Sequence, residues 1–187
     1  RSGQWAQKGA MALTRSVRGK KLGIVGLGRI GQGIASRAEP SGVEIGYFGR
    51  SPKQVDYRYF DDLVALAQWT DILMVACPGG DATKGIVNAP VLSALGKDGY
   101  VVNIARGSVI DEPALIDALR NGVIAGAGLD VFHNEPNMDR AFADFDNVVL
   151  YPHSASGTIE TRDAMAQLVV DNLDAWDQRG ELVTPVV

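Results

Sequence analysis

The sequence predicts an α/β fold with a doubly wound, mostly parallel sheet and helices on both faces. Short apolar runs recur along the chain and alternate with longer segments of helical period. These runs lack the strict polar alternation of half-exposed strands, as expected where helices cover both sides of a sheet. Repeated β-α alternation with short connections then implies parallel strands. No internal repeat of fixed period and no low-complexity tract interrupts the pattern.

In chain order, strands are expected at residues 21–25, 43–48, 72–76, 100–104, 125–129 and 148–150. Helices are expected at 30–38, 63–69, 90–95, 112–121 and 159–179. The fourth of these starts at Asp111-Glu112-Pro113, a capping aspartate followed by an early proline. Asn121-Gly122 supplies its stop.

The chain has 187 residues, 46% of them hydrophobic and 21% charged, enough for one well-buried core and one domain over residues 1–187. A net charge of −4 argues against nucleic acid or an anionic membrane as partner. It is compatible with an anionic cofactor if positive groups are concentrated locally. The run Ile72-Leu73-Met74-Val75-Ala76-Cys77 is strand-sized and too short to span a bilayer. No signal segment opens the chain. Cys77, the single cysteine, cannot form an internal disulfide, which suits a cytoplasmic location. By itself it reads as a small buried hydrophobe at a strand end. The polar start at Arg1, without methionine, reads as the middle of a longer protein.

The turn Gly26-Leu27-Gly28-Arg29-Ile30-Gly31 follows a strand and opens a helix, the context in which GxGxxG marks a Rossmann-type dinucleotide site. Gly26 permits the tight turn, Gly28 lets a pyrophosphate approach the backbone, and Gly31 allows close helix–strand packing. Free N–H groups at the helix start hold phosphates, and Arg29 can add a direct charge contact. NAD-binding domains place an acidic residue at the end of the second strand, on the ribose 2′-hydroxyl. Here that strand ends in Tyr47-Phe48-Gly49-Arg50-Ser51-Pro52-Lys53, with no carboxylate. Arg50, Ser51 and Lys53 would instead accept a 2′-phosphate, so NADP(H) is the preferred cofactor and NAD(H) remains possible. No metal site is expected.

Polar segments follow the last strands: 103–107 with Arg106, 129–136 with Asp130 and Glu135, and 151–158 with His153. Ligands of open α/β sheets bind beyond the carboxyl ends of the strands, so all of these segments should face the cofactor, Ile104, Ala105 and Ser156 among them. An arginine can anchor a carboxylate and polarise the adjacent carbonyl. A histidine can exchange a proton with the substrate oxygen while hydride moves, and a glutamate can orient the imidazole and raise its pKa. His133 is read as a loop residue, and Trp5, Trp69 and Trp176 as packing or interface side chains.

These segments, "NIARG", "LDVFHNEP" and "PHSASGT", resemble those of the D-isomer-specific 2-hydroxyacid dehydrogenases, in order and over nearly the whole chain. The resemblance implies catalytic roles for Arg106, Glu135 and His153, and contact of Asp130 with the nicotinamide carboxamide. It places Cys77, Pro78 and Thr83 in a cofactor-contacting loop. The second-strand turn is most similar to the NADPH-using glyoxylate/hydroxypyruvate reductase branch, with a small 2-oxoacid or 2-hydroxyacid as substrate. Retention of Glu135, where similar formate dehydrogenases carry glutamine, implies proton-coupled hydride transfer. An NAD-dependent phosphoglycerate or lactate dehydrogenase and a cofactor-sensing corepressor are the alternatives. The family has a separate substrate domain, not visible here before Arg1 or within residues 182–187, so this chain alone is expected to bind cofactor but turn over substrate poorly. A homodimer through the cofactor domain is expected, with Trp5 and the run Ala10-Met11-Ala12-Leu13 crossing between subunits.

Overall fold

The computed structural model describes residues 3–10 and 13–185. Seven parallel strands form one sheet, in the order β3-β2-β1-β4-β5-β6-β7. They are β1 (Lys21–Val25), β2 (Glu44–Phe48), β3 (Arg58–Phe60), β4 (Ile72–Val75), β5 (Tyr100–Asn103), β6 (Gly126–Leu129) and β7 (Val148–Leu150). The helices are α1 (Gln4–Lys8), α2 (Arg29–Ala38), α3 (Leu63–Trp69), α4 (Ala89–Leu95), α5 (Glu112–Arg120) and α6 (Ile159–Arg179). This is the Rossmann-type architecture expected from the alternation of apolar runs.

The two faces of β1 show why its sequence reads as continuously apolar. Leu22 and Ile24 pack with Ala35 of α2, Ile45 and Tyr47. Val25 belongs to the opposite core, with Leu66 of α3, Leu92 of α4, Leu115 of α5, Leu73, Val75 and Val101. Fully burying one such aliphatic side chain contributes about 1.5–3 kcal/mol, so helices on both sides stabilise every central strand. Asp111 caps α5 by accepting the Ala114 N–H at 3.2 Å. Asp62 caps α3 through the N–H groups of Val64 and Ala65.

Register decides where the functional loops begin. Phe60 pairs with Phe48, Phe48 with Val25, Val25 with Val75, Val75 with Asn103, Asn103 with Leu129, and Leu129 with Leu150. The last residue of every strand therefore stands in one row, and every loop that follows leaves from the same sheet edge. The chain runs outward from β1 to β3 and returns to β4 on the other side of β1. That reversal opens a crevice between the loops after β1 and β4.

Two short elements were absent from the sequence reading, α1 and β3. β3 is an edge strand of 3 residues that begins with a charged residue, too short for periodicity to register. Arg58 nevertheless finds a place, its guanidinium 4.8 Å from the Phe60 ring centre and 5.7 Å from that of Trp69. Other differences are single residues at element ends, where the edge residues Val43, Ala76, Ile104, Asn121 and Ala125 fall outside the elements and Arg29 and Ala89 fall inside.

Helix α6 spans the expected residues but buries only Ala175, leaving Met165, Val169, Leu173 and Trp176 exposed. Trp5 and Leu13 are also exposed, while Met11 and Ala12 of the expected crossing segment, and Arg1, lie outside the described residues. Among the described residues, no helix is long and apolar enough to cross a membrane, and no group of acidic, His and Cys side chains is placed to hold a metal.

Candidate active site

The phosphate-type turn is fixed by two close backbone approaches. Gly26 has φ 95°, and a Cβ there would lie 2.6 Å from the Cys77 Cα. A Cβ on Gly31 would lie 2.2 Å from the Gly26 carbonyl oxygen. Both glycines are demanded by the protein itself. Gly28 is different: its φ is −80° and a Cβ would meet nothing within 4 Å. No side chain caps α2 at Gly28, and the Gln32 N–H is the first to find a carbonyl, that of Gly28. The α2 terminus thus presents unpaired N–H groups and the positive end of its dipole toward open space.

That space is a cleft of about 770 Å³ at the switch point of the sheet. One wall is Gly26, Gly28, Arg29 and Ile30; the loop after β4 supplies Cys77 and Pro78, and the loop after β5 supplies Ile104, Ala105 and Arg106. All were expected from the sequence. Gly79 and Gly80, within the expected loop of residues 77–83, also line it, as do Ala76 and Ser108, which were not expected. Cys77 is buried, and burial pushes its thiol pKa up, leaving a neutral wall group. Thr83 stands behind the wall, its hydroxyl donating to the carbonyls of Pro78 at 2.7 Å and Gly80 at 3.2 Å.

Arg106 is held from both sides. Asn103, 1% exposed, accepts the Ala105 N–H and donates to the Arg106 carbonyl, each at 3.0 Å. This folds the loop back onto the end of β5. The Arg106 guanidinium donates to the Ala105 carbonyl at 2.6 Å, and its stem lies so close to Gly79 that a Cβ there would sit 2.7 Å from Cγ. Next along the chain, Gly107 touches the loop after β6: a Cβ would lie 1.9 Å from the Phe132 carbonyl carbon. Asn103, Gly79 and Gly107 were not singled out from sequence. The one available signal was a buried amide at the end of an apolar strand.

The loop after β6 carries Glu135, whose Oε1 accepts the Phe132 N–H at 2.9 Å. Its Oε2 lies 2.6 Å from His153 Nδ1. Burial pushes the Glu135 carboxyl pKa up. The hydrogen bonds from His153 and Phe132, with the charges of His153 and Arg106, outweigh this and hold it below the usual 4.5. Glu135 is therefore an ionised acceptor at neutral pH. His133, in the same loop, is a side chain at the surface whose backbone N–H donates to Glu112.

His153 adopts a left-handed backbone, φ 49°. Asp130 holds it there. The Asp130 carbonyl accepts the His153 N–H at 2.8 Å, and the two carboxylate oxygens accept the Ser154 N–H at 2.8 Å and the Ala155 N–H at 3.1 Å. Asp130 is buried and grips three consecutive amides, an anchoring role that the sequence did not suggest. Ser156 is exposed in the same loop. Arg50, Ser51 and Lys53 are exposed in the turn after β2 and do not line the 770 Å³ cleft, although they leave the same sheet edge.

The arrangement offers a phosphate-sized helix terminus, a crevice walled by three loops, a cationic side chain, and a carboxylate-bound imidazole beside them. The family model for the D-isomer specific 2-hydroxyacid dehydrogenase NAD-binding domain matches residues 1–155. The 2-ketogluconate reductase of Gluconobacter oxydans is 50% identical over 188 residues, covering 100% of this chain and 60% of the relative. A glyoxylate/hydroxypyruvate reductase of Arabidopsis thaliana shows the same 50% identity and the same coverage of 100% and 60%. The solved NADPH-dependent glyoxylate/hydroxypyruvate reductase of Sinorhizobium meliloti, in complex with NADP and malonate, superposes with a TM-score of 0.94. It is 51% identical, over 99% of this chain and 59% of that one. The chain spans about three-fifths of the length of these relatives. It belongs to the D-isomer specific 2-hydroxyacid dehydrogenase family, as an NAD-binding domain of that family.

Proposed function

We propose that this chain is the cofactor half of a reductase that converts a small 2-oxoacid, such as glyoxylate or hydroxypyruvate, to the D-2-hydroxyacid with NADP(H). The observation that carries the reading is the Glu135–His153 pair at 2.6 Å, set beside a cleft that already contains Arg106. The cleft fits a dinucleotide on its own geometry. Gly28 leaves open the space a side chain would fill, the α2 amides lack a cap, and Ile30 is an apolar side chain 63% exposed at the crevice. Gly26, Gly28, Arg29 and Gly31 would hold the pyrophosphate, and Arg50, Ser51 and Lys53 the 2′-phosphate. Cys77, Pro78, Ile104 and Ala105 would wall the nucleotide. When bound there, the reduced nicotinamide supplies a hydride to the carbonyl carbon.

The side chains of this chain do the remaining work. Arg106 binds the substrate carboxylate and polarises the adjacent carbonyl. Glu135, ionised, accepts from His153 Nδ1 and so leaves Nε2 to give its proton to the carbonyl oxygen. The balance is one hydride to carbon and one proton to oxygen, with the histidine reprotonated from water. Asp130 sets the His153 loop and stands ready at its remaining lone pairs for a carboxamide N–H. The relatives' greater length supports a separate substrate domain that completes the cleft, and the exposed Trp5 and Leu13 support a homodimer.

The test is steady-state kinetics of the complete enzyme on a 2-oxoacid panel, run in parallel with NADPH and NADH. Reduction of glyoxylate or hydroxypyruvate with a higher kcat/KM for NADPH is expected. Absence of 2-oxoacid reduction overturns the reaction class, and equal or better use of NADH overturns the cofactor assignment.

A further inference from the structure

The turn after β2 bears the charges assigned to the 2′-phosphate under the reading above, yet its own residues do little to hold it. Arg50, Ser51, Pro52 and Lys53 are all exposed. Among the described residues, neither Arg50 nor Lys53 forms an ion pair. A free turn of this length samples many conformations, and each costs part of the binding energy of a bound phosphate.

The turn is tied to the sheet by two tyrosines. Tyr47 on β2 and Tyr59 on β3 are direct partners in the parallel register. Their rings lie 5.4 Å apart, tilted by 51°. The Tyr47 hydroxyl oxygen accepts the Lys53 N–H at 2.6 Å. The Tyr59 hydroxyl donates to the Gly49 carbonyl at 3.1 Å. One bond holds the residue where the turn leaves β2, and the other holds the residue where it closes. Tyr47 is 1% exposed, so its hydroxyl is a fixed point set by core packing. Phenylalanine would fill the same core space without burying a polar group, which costs free energy unless it is bonded. The hydroxyls therefore have a task beyond packing, and the bonds they make identify it.

We infer that Tyr47 and Tyr59 are positioning residues for cofactor choice: their hydroxyls clamp the two ends of the 49–53 turn and hold Arg50, Ser51 and Lys53 in place for a ribose 2′-phosphate. The inference rests on the NADP(H) reading and extends it to residues that touch no part of the cofactor. Charge-assisted hydrogen bonds are directional, so a turn held in one geometry favours the 2′-phosphate, whereas an unmodified 2′-hydroxyl gains little.

The experiment is calorimetric titration of the complete enzyme and its Tyr47→Phe, Tyr59→Phe and double variants with 2′,5′-ADP and 5′-AMP. These probes differ in the 2′-phosphate alone. The double variant is expected to bind 2′,5′-ADP about tenfold more weakly, a change of about 1.4 kcal/mol, with 5′-AMP affinity changed less than about twofold. Each single variant should show part of the loss. If the wild-type enzyme prefers 2′,5′-ADP and the double variant keeps that preference undiminished, the clamp is overturned and the NADP(H) reading stands. If both probes weaken equally, the hydroxyls serve only the fold and the inference again fails. If the wild-type enzyme does not distinguish the probes, the failure lies in the NADP(H) reading beneath it. The single variants, each of which keeps one of the two hydroxyls, carry the same comparison of probes should the double variant lose its fold.

Discussion

Gly107→Ala separates the parts of the site more selectively than removal of any side chain in it. A Cβ at this position would stand 1.9 Å from the Phe132 carbonyl carbon, 2.1 Å from its oxygen and 2.3 Å from the His133 nitrogen. All are backbone atoms, so no flexible side chain can swing aside. To restore an ordinary contact of 3.4 Å, the loops carrying Arg106 and Glu135 must part by about 1.5 Å. Overpacking of this kind costs roughly 1–3 kcal/mol of stability. The functional loss should be larger in proportion, since a misplacement of about 1 Å in a reacting constellation can cost about 100-fold in rate. The glycines at the α2 terminus are untouched, so nucleotide affinity should change less than about threefold, within about 0.7 kcal/mol. The assay pairs kcat/KM for 2-oxoacid reduction by the complete enzyme with a fluorescence titration of NADPH, and urea denaturation confirms that the variant is folded. A folded variant with kcat/KM near that of wild type would refute the argument that this close approach sets the relation of Arg106 to Glu135. Equal loss of nucleotide binding would refute the claim that the two halves of the site are separable.

Asn103→Ala leaves the Ala105 N–H without its partner and the Arg106 carbonyl with the Val109 N–H alone, and should cost about 1–3 kcal/mol by urea denaturation, with a lowered kcat. His153→Ala should lower the rate of 2-oxoacid reduction by about 100-fold or more while NADPH titration is unchanged, because the imidazole is the proposed proton donor. Asp71 provides a pH test of the fold. Burial raises its carboxyl pKa, but the Lys20 hydrogen bond at 2.7 Å, the Lys21 N–H and the charges of both lysines hold it below the usual 3.8. A lowered folded pKa means stability that is present above 3.8 and lost as pH falls through the lowered value. Asp71→Asn should therefore cost about 1 kcal/mol at pH 7, discounted for its partial exposure, and the difference from wild type in urea midpoint should shrink as pH falls below 3.8 through the lowered folded value.

The parts of the fold legible in the sequence were those encoded over a few consecutive residues. Strand β1, the glycine turn and α2 announce themselves in order, and the caps at Asp111 and Gly122 mark α5. The expected Arg106, Glu135 and His153 were found by their places after strand ends, and parallel register brings those ends into one row. β3 escaped because 3 residues that begin with an arginine carry no periodic signal. Gly79 and Gly107 escaped for a different reason. Each is a glycine because of a neighbour far along the chain, Arg106 in one case and Phe132 in the other. Gly26 has the same kind of neighbour in Cys77, but its motif made it visible beforehand.

The supports of the candidate catalytic loops show why precision at this edge does not depend on the loops themselves. Asn103 terminates β5 and bonds forward to Ala105 and Arg106. The Asp130 N–H donates to the Asn103 carbonyl at 3.0 Å, continuing the β5–β6 ladder one step past its last strand pair. Asp130 then bonds to the amides of His153, Ser154 and Ala155 across the next strand end. Arg106 and His153 are thereby connected through two adjacent buried residues, Asn103 and Asp130, each rooted in the sheet. The left-handed backbone at His153 persists because its amide and those of the next two residues are held together by one residue. A polar residue at such a strand end forgoes apolar burial at the rim of the core and in exchange transmits the stiffness of the sheet to exposed side chains. Replacing either side chain would loosen one candidate catalytic loop directly, and because the two residues adjoin in the sheet through the Asn103–Asp130 backbone bond, their effects on turnover should be coupled rather than additive.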